Sequence, residues 1–331
     1  MTDLVTESDL VATMKELLRD PAGDIKLEDL MRPLARRIAT AFADQDSFPV
    51  SVLEQDMVGF VPRWLEQVRG YEDGVRPILS LVRLAGAYGR PEHVVVWEQV
   101  VKALMRNVGN LAGHPALVEL RGYPTVLVLH VAAIAAASRE NWSPLVGFAV
   151  RPMTTAQYSN EKAVVAEEVT VLSVAGRVET TLHVLTQLDE GQALDEELIR
   201  RVDGGQTRRR YTPMSDHLHH VLRELFRDEF DDDVEYDAAF DRAEIMLDAI
   251  AADAALESGR GHWPGGNYGR YTWKDRYADV RPEGRLAVEA GAAGASWGPT
   301  AAGLFGGDAE RAVRALEKVQ TVATEYRKAY R

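Results

Sequence analysis

Apolar side chains recur three and four positions apart through most of the first 140 residues, which is the pattern of amphipathic helices. Thr6 and Asp9 have the spacing of a capping box and predict that the first helix begins directly after Thr6. The buried face of this helix is predicted to contain Leu10, Val11, Met14, Leu17 and Leu18. Pro21 and Gly23 then end it, and a second helix is predicted from the stripe Leu27, Leu30, Met31, Leu34, Ile38 and Phe42.

Turn-forming residues divide the following stretch into further predicted helices. Ser51 and Glu54 repeat the capping-box spacing ahead of a helix that Pro62 should kink or divide. Gly74 is expected to separate this helix from the next one. Two more helices are predicted over residues 75–88 and 92–108. The pattern favours a stack of short antiparallel helices without a fixed repeat period.

The longest uncharged apolar run covers residues 123–137 and contains one histidine. A membrane-spanning helix needs about 20 apolar residues, so this shorter run is interpreted as a helix buried on all sides in a core. The N-terminus is acidic and has neither the basic region nor the apolar region of a signal peptide. We therefore expect a cytoplasmic protein with no membrane partner.

The middle of the chain gives a mixed signal. Residues 163–174 and 178–185 are rich in Val and Thr, which favours one or two short strands, although an irregular helix stays open. A polar connector with two glycines and three arginines covers residues 204–210. It is the strongest candidate for a hinge or domain boundary.

The helical pattern resumes in the last third of the chain. Ser215 is expected to cap one helix, a second is predicted over residues 234–256, and Asp308 is expected to cap a last helix over residues 309–329. The predicted fold class is mostly all-α, an array of antiparallel helices in two lobes with minor β structure in the middle. The predicted divisions are an N-terminal lobe at 1–150, a connector at 151–210 and a C-terminal lobe at 211–331.

Composition narrows the function classes. The 331 residues include no cysteine, which excludes disulfides, thiolate metal sites and cysteine nucleophiles. The formal net charge is −13, which disfavours nucleic acid as a partner while leaving a local basic patch open. No phosphate-binding or dinucleotide glycine motif occurs, and no catalytic residue or cofactor is predicted.

A helical histidine group is the main candidate for enzyme chemistry. His217, His220 and Glu224 would share one helix face and could contribute imidazole and carboxylate ligands to a metal. Only one helix supplies them, so a partly exposed histidine group without metal is the preferred interpretation. A metal-assisted hydrolase built on this face is kept as an alternative function.

A glycine-rich segment at residues 258–277 is the most unusual stretch because it interleaves aromatic and cationic side chains. Such side chains are enriched at protein-binding hot spots and also suit stacked bases. The competing interpretation is that its tryptophans fill the core of the second lobe. The candidate partner-binding residues are Arg260, Trp263, Tyr268, Arg270, Trp273, Lys274 and Arg276. Single-stranded nucleic-acid binding through this segment is a second alternative function.

Five phrases, in this order, resemble a known kind of protein region. They are LRGYPTVLVLH at 120–130, YTPMSDHLHHVLRE at 211–224, YDAAFDRAE at 236–244, YGRYTW at 268–273 and WGPTAAGLFGGD at 297–308. Together they resemble the helical C-terminal region of bacterial antiphage-defence proteins, over about residues 110–310. In those proteins the helical region follows a sirtuin-like, TIR-type or NTPase effector.

The resemblance implies a sensor or scaffold in antiviral defence. Helical sequence starts near Met1, so we expect that the effector is absent or lies on another polypeptide. The function predicted is that of a non-catalytic bacterial recognition module, which binds an effector in trans or a phage component. A homo-oligomer stays open.

Overall fold

A computed structural model describes residues 6–51, 56–106, 108, 111–155, 161–259, 266–274 and 280–329. The chain is 75% helical and its one small sheet has two strands, which confirms the predicted mostly all-α fold. The helices of the first half are α1 (Glu7–Arg19), α2 (Asp24–Ala43), α3 (Met57–Tyr88), α4 (Val94–Met105), α5 (Pro115–Leu120), α6 (Tyr123–Arg139) and α7 (Ser143–Leu145). A π-helical turn (Val146–Val150), strand β1 (Met153–Thr155) and strand β2 (Lys162–Val164) come next.

The second half is also helical. Its helices are α8 (Val165–Glu168), α9 (Val171–Ala175), α10 (Glu179–Asp189), α11 (Glu196–Asp203), α12 (Pro213–Arg223), α13 (Asp233–Glu257), α14 (Pro282–Ala293), α15 (Gly298–Ala301) and α16 (Ala309–Ala329). Short 3-10 turns lie at Pro91–His93, Glu224–Phe226, Arg270–Thr272, Gly294–Ser296 and Leu304–Gly307.

The first helix begins as predicted, with Thr6 and Asp9 satisfying each other's backbone N–H groups in a capping box. The predicted division of the third helix at Pro62 or Gly74 is wrong, because α3 continues through both residues, and a kink at Pro62 stays a prediction. A Cβ at Gly74 would lie 2.6 Å from Cε1 of Phe42, so this glycine allows α2 and α3 to approach closely. Of the second predicted capping box, Glu54 lies outside the described residues. The helix is capped instead by Asp56, whose side chain accepts from the N–H of Gly59.

Helix α6 runs through the centre of the protein, in contact with α3 and with α13. Every residue from Tyr123 to Ala137 is buried, which confirms the interpretation of this run as a core helix. The segment 115–139 has the length and apolar composition of a membrane span, but the whole apolar window of that segment is buried inside the protein.

The middle of the chain combines a hairpin with short helices. β1 and β2 pair antiparallel, with Met153 opposite Val164. The Val- and Thr-rich stretch at 178–185 forms no strand, because most of it belongs to α10, whose buried residues include Leu182 and Val184. Burial of one helical face outweighs the β preference of these residues.

The last third of the chain contains α12, α13 and α16, the three helices that position the candidate site described below. Ser215 does not cap α12 as predicted, since it lies inside that helix and donates a hydrogen bond to Glu244. Asp232 caps α13, and Asp308 caps α16 by accepting from the N–H groups of Glu310 and Arg311. One hydrophobic cluster includes residues from both predicted lobes.

Candidate recognition surface

Four aromatic side chains from three parts of the chain form one stacked row at the protein surface. Tyr211 stacks on Trp273 with 3.8 Å between ring centroids, and Trp273 lies edge-on to Tyr326 at 6.0 Å. Tyr326, on α16, stacks in turn on Tyr268 at 4.9 Å. Tyr211 is 43% exposed and the other three are partly exposed. We call these four residues the aromatic surface.

The segment 266–274, which carries two of these rings, is fixed from below by Asp248 of α13. This buried carboxylate accepts 2.9 Å hydrogen bonds from the N–H of Asn267 and from the hydroxyl of Tyr271. Tyr271 is fully buried, so it anchors the 3-10 turn that carries Trp273. Burial raises the pKa of Asp248 to about 6, in spite of these two hydrogen bonds.

Glu244, one helical turn earlier on α13, lies directly beneath the segment. A Cβ at Gly269 would lie only 1.6 Å from Oε2 of Glu244, so the backbone at this position approaches the carboxyl in a way that only glycine allows. The Ser215 hydroxyl donates to Oε1 of Glu244 at 2.5 Å and accepts from the N–H of Arg270 at 3.0 Å. Burial raises the pKa of Glu244 well above its ordinary value, which favours the neutral form of this carboxyl.

The cations of the segment are paired within the protein. Nη1 of Arg270 lies 3.0 Å from Oδ1 of Asp216, and Nζ of Lys274 lies 3.1 Å from Asp237 and 2.9 Å from Asp241. The carboxylates that receive them belong to α12 and α13. The positive charge is therefore largely neutralised at this surface.

Burial also changes the titration of the groups around Lys274. It raises the pKa of Asp241 to about 6, against the opposing effect of the lysine. Burial and the nearby charge of Arg270 lower the pKa of His219 to about 4, although His219 contacts Asp237 at 2.6 Å. His219 is therefore neutral at pH 7 and adds no positive charge to the base of the site.

The structure brings four of the seven candidate partner-binding residues together: Tyr268, Arg270, Trp273 and Lys274. Arg260, Trp263 and Arg276 lie outside the described residues. Sequence reasoning missed Tyr211 and Tyr326, which complete the row from other parts of the chain. For Tyr211 the sequence offered one signal, its position two residues before the helix start at Pro213. For Tyr326 the sequence offered no such signal.

Of the three candidate metal ligands, one is engaged inside the protein. His217 is buried, with Nδ1 2.9 Å from Asp189 and Nε2 2.7 Å from Glu72. Burial alone would lower the pKa of His217, but hydrogen bonds to these two carboxylates raise it to about 9. A protonated imidazole donates from both nitrogens and has no lone pair for a metal.

His220 and Glu224 line an open cleft of about 280 Å³ together with Asp73 and with Glu72, the carboxylate that His217 contacts. His220 is exposed, and Glu224 forms an ion pair with Arg227. Within the described part of the chain, no three His, Asp or Glu side chains are grouped as metal ligands. This arrangement therefore gives the alternative function of a metal-assisted hydrolase no geometric support.

Comparisons with known proteins add no assignment: the chain matches no family model, no curated protein and no solved structure.

Proposed function

We propose that this protein is a recognition module that binds a protein partner through the aromatic surface. The observation that carries the proposal is the row of four stacked, partly exposed rings on a backbone that buried carboxylates hold in place. Aromatic side chains dominate the energy of many protein interfaces. Rings that are already ordered lose little conformational entropy on binding, which favours affinity.

The charges around the aromatic surface favour a protein partner over a nucleic acid. Nucleic-acid binding draws most of its affinity from lysines and arginines that neutralise phosphates. Here Arg270 and Lys274 already neutralise carboxylates of α12 and α13. The residues 211–260 also contain 14 acidic and 4 basic side chains, which would repel phosphates.

We extend this proposal to the setting that the sequence resemblance implies. The partner would be an effector protein in trans or a phage component, and the module would act in bacterial antiviral defence without catalysis of its own. The resemblance of the phrases at 211–224 and 268–273 supports this setting, because both contribute rings to the aromatic surface.

The proposal is tested by site-specific photo-crosslinking in bacteria that express the chain together with its genomic neighbours, with and without phage. p-Benzoylphenylalanine in place of Tyr211 should form a specific crosslink to a partner protein. The same reagent in place of Val288, which is 68% exposed on α14, is the control and should not. The crosslinked protein is then purified, and its affinity for the unmodified chain is measured.

A direct complex with the purified partner, together with loss of phage protection in Trp273→Ala, would support the proposal. Equal crosslinking from the two positions, or a partner that binds Trp273→Ala as tightly as the wild type, would overturn it. Oligonucleotide binding that weakens with salt would support the nucleic-acid alternative instead.

A further inference from the structure

A second concave site lies between the end of α4, α5, the β-hairpin and α9, and none of the four aromatic-surface residues lines it, although α9 is hydrogen-bonded to Gly266 and Asn267 of the segment 266–274. It is an open cleft of about 640 Å³, and we call it the hairpin cleft. Pockets for drug-sized ligands have volumes of about 300–1,000 Å³, so the hairpin cleft can hold a small organic molecule. Its apolar lining includes Met105, Val108, Leu111, Val118, Met153 and Val174.

The apolar lining is adaptable and partly open to solvent. Met153 is 44% exposed and Leu111 is 37% exposed, although both are large apolar side chains. Methionine side chains adjust to aliphatic ligands of different shape, because they are unbranched and flexible. These features favour a flexible hydrocarbon body as the occupant.

Cations lie at the same cleft, in contrast to the acidic chain as a whole. Lys102, Arg106 and Lys162 all line it. Arg106 is exposed, and no carboxylate of the described residues lies within ion-pair distance of its side chain. Nζ of Lys162 lies 3.4 Å from the hydroxyl oxygen of Thr155. This hydroxyl is neutral, so it does not compensate the charge of the lysine.

Two acidic groups near the cleft, Glu98 and Glu119, are already engaged by other cations, and the lining as a whole contains three cations against the two carboxylates of Glu119 and Glu168. Glu98 pairs with Lys102 and also with Arg151 at 3.0 Å, so two cations share one carboxylate. Glu119, which lines the cleft, pairs with Arg177 at 2.7 Å. The electrostatic balance at this site therefore favours an anion.

We propose that the hairpin cleft binds a small amphipathic anion, with an aliphatic body against the methionines and a carboxylate or phosphate head group near Arg106 and Lys162. The site is distinct from the aromatic surface, and the proposal does not depend on the function proposed above. A medium-chain fatty carboxylate fits this description, and an alkyl phosphate has the same chemistry with a different head group.

The test is calorimetric titration of the full chain with four ligands that have the same ten-carbon body: decanoate, decyl phosphate, decanol and decyltrimethylammonium. We expect the two anions to bind at least tenfold more tightly than the alcohol and the cation. Tighter binding of decanoate would identify a carboxylate site, and tighter binding of decyl phosphate would identify a phosphate site. Binding of the anions should weaken at high salt, because the rim cations are exposed.

Variants locate the site. Arg106→Gln combined with Lys162→Gln should weaken the binding of decanoate at least tenfold and leave decanol unaffected. Met153→Asp should weaken both, because it places a charge on the apolar lining. Arg200→Gln removes an exposed arginine of α11 and is the matched control, expected to bind like the wild type.

Equal affinity for decanoate and decyltrimethylammonium would overturn the proposal, as would unchanged binding of decanoate to the double variant. Thermal unfolding of each variant confirms that the fold is retained. The substituted side chains are at least partly exposed, so the fold should tolerate these changes.

Discussion

Two long helices, α6 and α13, lie against each other in the core and differ in the polarity of their buried side chains. From Tyr123 to Ala137, α6 is buried and almost entirely apolar, and its one histidine, His130, bonds to the carbonyl of Val126 with a pKa lowered by burial to about 4. From Ala239 to Ala255, α13 is also largely buried, but this stretch contains the carboxyl groups of Asp241, Glu244, Asp248 and Asp253.

The difference between α6 and α13 shows how the candidate surface is kept in position. An apolar helix fills space, and its contacts have little directional preference. Each buried carboxyl group of α13 instead has specific partners from another part of the chain, such as Tyr271 for Asp248 and Arg311 for Asp253. Because a buried polar group without a partner is costly, these contacts fix where the aromatic segment and α16 lie.

The largest expected effect is the loss of stability in Glu283→Gln, and Glu244→Gln is its matched comparison. Glu283, fully buried, forms a 2.8 Å ion pair with buried Arg327, which also donates to the carbonyl of Thr272. Glu283→Gln leaves that arginine without its counter-charge and should cost about 3–5 kcal/mol in the free energy of unfolding. Glu244→Gln retains an oxygen that can accept from Ser215, at a site where burial raises the carboxyl pKa, and should cost at most about 1 kcal/mol.

Urea denaturation at pH 7 measures both free energies of unfolding. Similar losses in the two variants would show that the ion pair with Arg327 does not set Glu283 apart from Glu244.

A glycine pair tests the close approach of the segment to α13. Gly269→Ala places a methyl group on the Glu244 carboxyl and should cost about 1–3 kcal/mol or more, because the core must rearrange. Gly291→Ala, within α14, meets no atom nearer than 3.9 Å and should gain about 0.5–1 kcal/mol from helix propensity. Thermal unfolding should therefore shift in opposite directions, and a neutral Gly269→Ala would disprove the contact.

The pH dependence of stability tests the buried His217 pair. The pKa of His217 is raised from 6.5 to about 9, so its stabilising contribution is complete below pH 6.5 and is lost as the pH rises to about 9. At 1.4 kcal/mol per pKa unit, the free energy of unfolding should fall by about 2–3 kcal/mol over that range. Urea denaturation between pH 6.5 and 9.5 measures this fall.

The neighbouring His220 provides the control, since it lies on the same helix and is exposed. His220→Gln should retain the alkaline loss of stability, whereas His217→Gln should be less stable at pH 7 and nearly independent of pH in this range. An unchanged alkaline loss in His217→Gln would assign the titration to another group.

Local signals in the sequence were sufficient for much of the helical architecture. The capping box at Thr6 and the cap at Asp308 fixed two helix starts, and the apolar run of α6 was recognised as a core helix. The divisions predicted at Pro62 and Gly74 were wrong because a proline or glycine also fits inside a long helix that tertiary packing supports.

The base of the candidate site could not be predicted in the same way. Asp237, Asp241, Glu244 and Asp248 recur at helical spacing, a pattern typical of a solvated face. Only the fold brings Ser215, Tyr271 and Lys274 onto that face and turns it inward. The one available signal was the apolar sequence around these carboxyls, such as Ile245, Met246 and Leu247, which is typical of a helix buried on most sides.

The central claim is that the aromatic surface is a preformed recognition site, and the affinity of the partner identified by crosslinking tests it most directly. Trp273→Ala should raise the Kd at least about tenfold, a loss of about 1.4 kcal/mol, because it removes the central ring of the row. Val288→Ala, on α14, should leave the Kd unchanged. A Kd for folded Trp273→Ala equal to that of the wild type would contradict the account.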